Sequence, residues 1–120
     1  MNFPNLLIVG AAKSGTTSLF NYLSQHPDIF MSSNKEPHFL INKEIGSGRI
    51  PNGINDLEKY TELFKDGGSF KFRGEASTMY LQFADASIKN IKKYLCSKTK
   101  IIIMLRNPID RAFSGYHHVR

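Results

Sequence analysis

The chain has 120 residues, a formal net charge of +6 and one cysteine, Cys96. This length fits a single domain with a core of its own. The charge favours an anionic partner such as a nucleotide, a polyanionic glycan, a nucleic acid or a membrane surface. A lone cysteine excludes an internal disulfide and a cysteine metal cluster.

No apolar run approaches the roughly 20 residues that span a bilayer, and a first strand so near the N-terminus leaves no room for a signal peptide. The sequence therefore predicts a cytoplasmic protein.

The first predicted elements are a buried strand, a loop of small residues and a helix. Residues 6–9 are wholly apolar, which is typical of a strand buried on both faces. Residues 10–15 form the loop, and Thr16 begins a helix that ends before Pro27. Free backbone N–H groups and the helix dipole meet at such a junction, so the sequence predicts an anion site there.

This loop differs from a nucleoside-triphosphate loop in the position of its cation. Gly10 and Gly15 have the spacing of G-x-x-x-x-G-K-[ST], but Thr16 stands where that motif has lysine, and the lysine of the loop is Lys13. We expect the loop to bind a phosphate-like group and to present its cation differently. The alternative is a tight strand-to-helix turn without a ligand.

A second group of candidate functional residues lies in a polar loop predicted over residues 32–43, after a candidate short strand over residues 29–31. Pro37 disfavours a helical conformation at Glu36. The segment is therefore predicted to run extended, with Glu36 and His38 on the same side. A charged cluster on a proline-stiffened loop near an anion site favours catalysis, and the alternative is a solvated surface loop.

The middle of the chain predicts structural elements without chemistry. Residues 44–53 contain three glycines and a proline, which predicts a mobile loop or lid. Asn55 is expected to cap a helix that runs to about Lys65, and residues 69–73 are expected to form a strand. A helix is predicted over residues 85–95, with these residues facing inward: Ile88, Ile91 and Leu95.

A second wholly apolar strand is predicted over residues 101–105, with Arg106 at its carboxyl end. Alternating strands and helices of this length predict an α/β fold with a parallel sheet, and ligands bind such sheets at the carboxyl ends of the strands. Arg106 stands where a Mg²⁺-dependent nucleotide enzyme commonly has a metal-binding aspartate. Because arginine suits direct, bidentate phosphate binding, the site is expected to bind a nucleotide anion without a metal. The alternative is an arginine paired with Asp110 or Glu75.

Taken together, these residues resemble the sulfotransferases that use 3′-phosphoadenosine 5′-phosphosulfate (PAPS). Residues 13–19 (KSGTTSL) resemble the family's loop for the 5′-phosphosulfate. Residues 106–114 (RNPIDRAFS) resemble its 3′-phosphate segment, where an arginine and a serine, here Arg106 and Ser114, hold that group. Residues 35–39 (KEPHF) are similar to the K-E-P-x-F segment of the branch that includes heparan sulfate N- and 3-O-sulfotransferases and bacterial relatives. In that branch the glutamate is the proposed general base.

The resemblance implies a three-layer α/β fold, with a P-loop-like parallel sheet flanked by helices, and sulfuryl transfer from PAPS to a hydroxyl or amine. The acceptor would be a glycan, a lipid or a small molecule, with no metal required and no nucleic-acid partner. The catalytic residues implied are Glu36 as general base, Lys13 on the bridging oxygen, and His38 as a residue that orients the acceptor or shares the base role. The cofactor-binding residues implied are Lys13, Ser14, Gly15, Thr16, Thr17, Ser18, Arg106 and Ser114.

Two departures from the family pattern are visible. Residues 75–78 (EAST) stand where heparan sulfate enzymes have Glu-Lys-[Ser/Thr]-Pro, so the lysine of that segment is absent. Family domains are also roughly twice this length. Residues 1–120 are therefore expected to be the N-terminal portion of a single sulfotransferase domain, incomplete at the C-terminal end and inactive by itself.

Two other functions stay open at this point. A nucleotide kinase with a variant phosphate loop would share the fold and would require Mg²⁺. A non-catalytic nucleotide-binding or nucleic-acid-binding module has less support, because the chain lacks the interleaved aromatic and basic residues of single-strand readers. Binding that is lost on adding salt, whatever the nucleotide, would favour such a module.

Overall fold

The computed structural model describes residues 2–11, 14–32, 36–45 and 53–105, and for residues 43–45 it describes the backbone. Lys13, Arg106, Ser114 and most of the predicted lid over residues 44–53 lie outside these ranges. The strands of the described part are β1 (Leu6–Gly10), β2 (Ile29–Met31), β3 (Phe72–Ala76) and β4 (Lys100–Ile103). Its helices are α1 (Thr16–Ser24), α2 (Phe39–Ile45), α3 (Leu57–Glu62) and α4 (Ala84–Tyr94), with a 3₁₀ turn over Lys65–Gly67.

All four strands belong to one parallel sheet, in the order β2-β3-β1-β4. Leu6 of β1 pairs with Gly74 of β3 on one side and with Lys100 of β4 on the other. Ile29 of β2 lies opposite Phe72 of β3. This arrangement confirms the predicted α/β fold, and it brings the carboxyl ends of β1, β3 and β4 to the same edge.

Alternate residues of β1 build one core on each face of the sheet, because successive side chains of a strand point to opposite faces. The larger core contains Leu7, Val9, Phe39, Leu40, Ile41, Tyr60, Phe64, Tyr80 and Leu95. The smaller core contains Leu6, Ile8, Phe20, Met31 and Ala76. Helix α1 therefore covers one face and helices α2, α3 and α4 cover the other, so the predicted three-layer arrangement is confirmed.

The first three elements follow the sequence predictions. Strand β1 is buried along its whole length, and α1 begins at Thr16 with Phe20 buried against the smaller core. The candidate short strand over residues 29–31 is confirmed as β2.

The polar loop predicted over residues 32–43 is wrong in its second half, where α2 begins at Phe39. Leu40 and Ile41 are fully buried in the larger core. Pro37 restricts only the residue before it, so a helix is free to start two residues later. The Leu40 N–H donates to the hydroxyl of Tyr80 at 3.3 Å, which satisfies one of the unpaired donors at the start of the helix.

Strand β3 begins at Phe72, three residues later than the strand predicted over residues 69–73. The N–H of Phe70 donates to the carbonyl of Gly67 at 3.0 Å, so this part of the chain forms a turn. The Phe70 ring packs against Phe30 with centroids 5.6 Å apart. The alternation of Phe70 and Phe72 therefore reflects two separate contacts and not a single strand.

The middle helices are also displaced from their predicted ends. Asp56 and not Asn55 caps α3, since its carboxylate accepts from the Glu58 N–H at 2.9 Å. Helix α3 ends at Glu62, because a 3₁₀ turn takes over at Lys65.

Helix α4 buries two polar residues beside part of its predicted apolar face, since Ile91 packs against the larger core as predicted. Ile88, predicted to face inward, is 50% exposed. Ser87 and Asn90 are buried instead. The Ser87 hydroxyl donates to the carbonyl of Tyr80 at 2.8 Å, and the Asn90 amide donates to the carbonyl of Leu40 at 2.6 Å. The Asn90 bond fixes α4 against α2 and the Ser87 bond fixes it to the turn after β3, while Leu95 is buried as predicted.

Strand β4 is shorter and more exposed than the buried strand predicted over residues 101–105. It covers Lys100–Ile103 and lies at an edge of the described sheet. Ile101 and Ile103 are exposed on one face, whereas Ile102 packs against the smaller core.

Gly10, the last residue of β1, lies against the chain that follows β3. Its φ is +147°, and a Cβ added there would come within 2.9 Å of the Thr78 carbonyl oxygen and 3.1 Å of the Leu81 Cβ. Only glycine fits this conformation and this space without displacing the backbone.

Replacing Gly10 with alanine should lower the free energy of unfolding by about 1–3 kcal/mol, because it adds backbone strain and a contact with the Thr78 carbonyl. Chemical denaturation measures this change. Gly68→Ala is the matched control, since Gly68 has a φ of −62° and a Cβ added there would lie 3.9 Å from the Asn2 Oδ1. It should change stability by less than about 0.5 kcal/mol. Equal losses for both variants would contradict the close packing at Gly10.

Candidate active site

The junction between β1 and α1 has the properties of an anion site. Gly15 caps α1 with a φ of +84°, without a side-chain cap, and the first turn of the helix has no acidic residue. The N–H groups of that turn lack intrahelical partners, and the positive end of the helix dipole lies there. Gly15, Thr17 and Ser18 are exposed, whereas Ser14 and Thr16 are buried. This arrangement fits an anionic group at the mouth of the loop.

The end of β4 lies beside the same loop. The Ala11 N–H donates to the carbonyl of Met104 at 2.8 Å, and the Met104 N–H donates to the carbonyl of Gly10 at 2.7 Å. A Cβ at Gly15 would lie 3.5 Å from the Met104 Cε. Met104 precedes Arg106 by two residues, so the chain enters the Arg106 segment next to the anion loop.

Glu36 is bound to the segment that follows β3. Its carboxylate Oε1 accepts from the Thr78 hydroxyl at 2.5 Å and from the Thr78 N–H at 3.3 Å. Its own N–H donates to the carbonyl of Ala76 at 2.9 Å. The side chain is half-buried. One carboxylate oxygen is therefore anchored, while the other has no hydrogen-bond partner among the described residues.

His38 is bound to the same segment and is almost completely buried. Its N–H donates to the Ser77 hydroxyl at 3.0 Å, and its Nε2 accepts from the Met79 N–H at 3.3 Å. Burial lowers the pKa of His38, although Glu36 nearby opposes the change. A neutral ring that accepts at Nε2 has its proton on Nδ1, and Nδ1 is buried without a partner in the described part of the chain.

The predicted extended conformation of this segment is wrong, although the predicted proximity of the two side chains holds. Glu36 and His38 have φ angles of +61° and +51°, in the left-handed region. The backbone bonds of Glu36 to Ala76 and of His38 to Ser77 favour that conformation. Glu36 and His38 therefore both form hydrogen bonds with residues 77–79, which we call the 77–79 loop.

The 77–79 loop is itself fixed to the end of β1. The Ser77 N–H donates to the carbonyl of Ile8 at 3.0 Å, and the Leu81 N–H donates to the carbonyl of Val9 at 2.9 Å. Strand β1 leads directly into the anion loop. The structure thus brings together the segment that holds Glu36 and His38 and the strand that presents the anion loop.

The buried carboxylate of Glu75 binds the 77–79 loop through Ser77. Glu75 is fully buried and accepts hydrogen bonds from three hydroxyl groups. Ser77 donates to its Oε1 at 2.5 Å, Tyr80 donates to its Oε2 at 2.9 Å, and Tyr60 also donates to Oε2. Burial raises the pKa of Glu75, and the three hydroxyl groups oppose that change. Burial and the neighbouring Glu75 raise the pKa of both tyrosines far above its ordinary range, so they remain donors.

Sequence reasoning missed the residues that hold the two candidate catalytic side chains. Thr78 and Ser77 contact Glu36 and His38 directly, and Tyr60 and Tyr80 contact Glu75. One signal was available, since residues 77–80 follow a strand at the edge where ligands bind parallel sheets. Among the described residues, no group of three or more His, Cys, Asp or Glu side chains is arranged to hold a metal ion.

Comparison with known proteins gives a family match over residues 3–120, to the sulfotransferase domain. A sulfotransferase from Alicyclobacillus acidocaldarius, solved by crystallography, is 41% identical with a TM-score of 0.81, over 99% of this chain and 51% of that one. The human bifunctional heparan sulfate N-deacetylase/N-sulfotransferase 1 is 34% identical over 98% of this chain and 13% of its own length. The membrane-associated sulfotransferase kil1 of Dictyostelium discoideum is 32% identical over 95% of this chain and 22% of its own. The chain thus spans about half of the solved relative and less than a quarter of these two curated relatives.

These relatives contradict the cytoplasmic location predicted from the sequence, because the Dictyostelium protein is named as membrane-associated. The prediction rested on the lack of an apolar segment in 120 residues, and the relatives are several times longer. Within the described ranges, no helix is both long and apolar enough to cross a bilayer.

Replacing Glu75 with glutamine should change how stability depends on pH. A carboxyl group whose pKa is raised by folding stabilises the fold below its unfolded pKa, and that contribution is lost as the pH rises through the folded pKa. The wild-type protein should therefore lose stability relative to Glu75→Gln as the pH rises from about 4, the unfolded value, through the raised pKa of the folded carboxyl. Calorimetric unfolding of both proteins across this range measures the difference. A difference that is constant, or that grows in favour of the wild type, would mean that the three hydroxyl donors outweigh the burial.

Proposed function

This chain belongs to the sulfotransferase domain family, and we propose that it transfers a sulfuryl group from PAPS to a hydroxyl or amine of an acceptor. The observation that supports this reaction is the position of Glu36, bound to a loop that is itself bound to the strand leading into the anion loop. We further propose that residues 1–120 form the N-terminal portion of a single sulfotransferase domain, in keeping with their match to 51% of the solved relative.

The anion loop is proposed to bind the 5′-phosphosulfate of PAPS. The backbone N–H groups of Ser14–Ser18 would supply donors at the start of α1, whose cap Gly15 has no side chain and whose first turn has no carboxylate. Lys13 would stabilise negative charge on the bridging oxygen as the S–O bond breaks. PAPS supplies the sulfuryl group and leaves as adenosine 3′,5′-bisphosphate.

Arg106 and Ser114 are proposed to bind the 3′-phosphate. Arginine presents a planar pair of donors that matches phosphate, and the chain approaches Arg106 through Met104 beside the anion loop. The same co-substrate could then contact both segments.

Glu36 is proposed as the general base. It takes the proton from the acceptor O–H or N–H as that atom forms its bond to sulfur. The other carboxylate oxygen, which has no partner among the described residues, is suited to this role. His38 is then assigned to orient the acceptor, because its Nε2 already accepts from Met79 and its Nδ1 is a buried donor.

A glycan is the acceptor class that the relatives favour. One is named for heparan sulfate, and another is carbohydrate sulfotransferase 15 of Mus musculus, 29% identical over 94% of this chain. The net charge of +6 is suited to anionic glycans as well as to PAPS.

Mass spectrometry of acceptors incubated with PAPS and the full-length protein tests the reaction. Desulfated heparan sulfate oligosaccharides, a neutral oligosaccharide and a small alcohol cover the main acceptor classes. We expect one of them to gain the mass of a sulfuryl group, with release of an equal amount of adenosine 3′,5′-bisphosphate. Transfer that instead requires ATP and Mg²⁺ would support a nucleotide kinase.

Replacing Glu36 with glutamine should reduce turnover by roughly 10²–10⁴-fold in the full-length protein, because an amide of similar size cannot accept the proton. Calorimetry should show nearly unchanged binding of adenosine 3′,5′-bisphosphate. If turnover survives in this variant and is abolished by His38→Ala, then the base is the histidine.

A further inference from the structure

We propose that Thr78 is a positioning residue for sulfuryl transfer, which fixes one oxygen of the Glu36 carboxylate and leaves the other available to the acceptor. This inference rests on the proposed function, in which Glu36 is the general base. Thr78 was not among the residues that the sequence implied, and its role follows from its contacts.

Thr78 holds the Glu36 carboxylate by one of its two oxygens. The hydroxyl and the N–H of Thr78 both donate to Oε1, at 2.5 Å and 3.3 Å. A carboxylate on a side chain with three rotatable bonds samples many positions unless something holds it. Two donors from one residue on the same oxygen restrict the position of the whole group, and Oε2 keeps its lone pairs for the acceptor proton.

Thr78 is itself immobilised by its contacts with the end of β1. The residue before it donates to the carbonyl of Ile8, and Leu81 donates to the carbonyl of Val9. The carbonyl of Thr78 lies so close to Gly10 that a Cβ there would approach it within 2.9 Å. Thr78 therefore contacts the end of β1 with its backbone and Glu36 with its side chain. The position of the Glu36 carboxylate is thus fixed relative to β1, the strand that leads into the anion loop.

The expected loss of kcat follows from the charge of the carboxylate to which the Thr78 hydroxyl donates. Hydrogen bonds to an ionised group contribute more than neutral ones, and a base must lie within hydrogen-bond reach of the proton that it takes. Loss of the Thr78 hydroxyl should therefore lower kcat by about tenfold to a hundredfold. The KM for PAPS should stay unchanged, because the Thr78 hydroxyl donates to Glu36.

Thr78→Val and Thr78→Ser separate the hydroxyl from the shape of the side chain. Valine keeps the branched shape and loses the donor, so it should show the loss of kcat. Serine keeps the donor and should retain most of the wild-type turnover. Thr61→Val is the matched control, since the Thr61 hydroxyl bonds only to the α3 backbone carbonyls of Leu57 and Glu58. It should leave kcat unchanged.

A double-mutant cycle with Glu36→Gln distinguishes positioning from a general structural effect. If Thr78 acts through Glu36, Thr78→Val should cause no further loss of kcat in the Glu36→Gln protein. The inference is overturned if Thr78→Val lowers kcat by the same factor in both backgrounds, or if it leaves kcat unchanged in the wild-type background. Absence of PAPS-dependent transfer by the wild-type protein would refute the proposed function instead.

Crystal structures of the wild type and of Thr78→Val give a readout that does not depend on turnover. The Glu36 carboxylate should occupy one position in the wild type and spread over several in the variant. A carboxylate that stays in place without the Thr78 hydroxyl would overturn the inference even if no acceptor had been identified.

Discussion

The candidate site depends on one carboxylate that is completely buried beneath it. Glu75 is the last residue but one of β3, and burying a charge there would be costly without compensation. Ser77, Tyr60 and Tyr80 supply three hydroxyl donors. Such a network is stable only when all of its members are satisfied, so residues from α3, β3 and the loop after β3 are held in one arrangement.

The hydroxyl groups of Ser77 and Tyr80 connect Glu75 to the start of α2. Ser77 donates to Glu75 and accepts from the His38 N–H, while Tyr80 donates to Glu75 and accepts from the Leu40 N–H. Backbone donors at the start of a helix have no intrahelical partner, and here a negative group stabilises them through two intermediate oxygens. Glu36 and His38 lie immediately before this helix. Their positions are therefore set by a residue that itself has no part in the proposed proton transfer.

Sequence reasoning succeeded where the signal was local and failed where distant residues decide the structure. The apolar run of residues 6–9 predicts the buried strand β1 without further information. Glu36 and His38 are also recognisable from their motif, but their left-handed backbone is stabilised by bonds to Ala76 and Ser77, far along the chain. The role of Thr78 is visible only once β3 lies beside β1. Ile88 was misassigned because Ser87 and Asn90 turn toward the core, where they bond to the carbonyls of Tyr80 and Leu40.

The central place of β1 in the sheet has a consequence for the order of events during synthesis. This strand leaves the ribosome before both of its partner strands, since Leu6 pairs with Gly74 on one side and with Lys100 on the other. Parallel pairing over such sequence distances is slow. The nascent chain therefore carries an unpaired apolar segment until β3 and β4 have been synthesised, which is the kind of segment that chaperones bind. Gly10, at the end of this strand, can bond to Met104 only after that later residue has been synthesised.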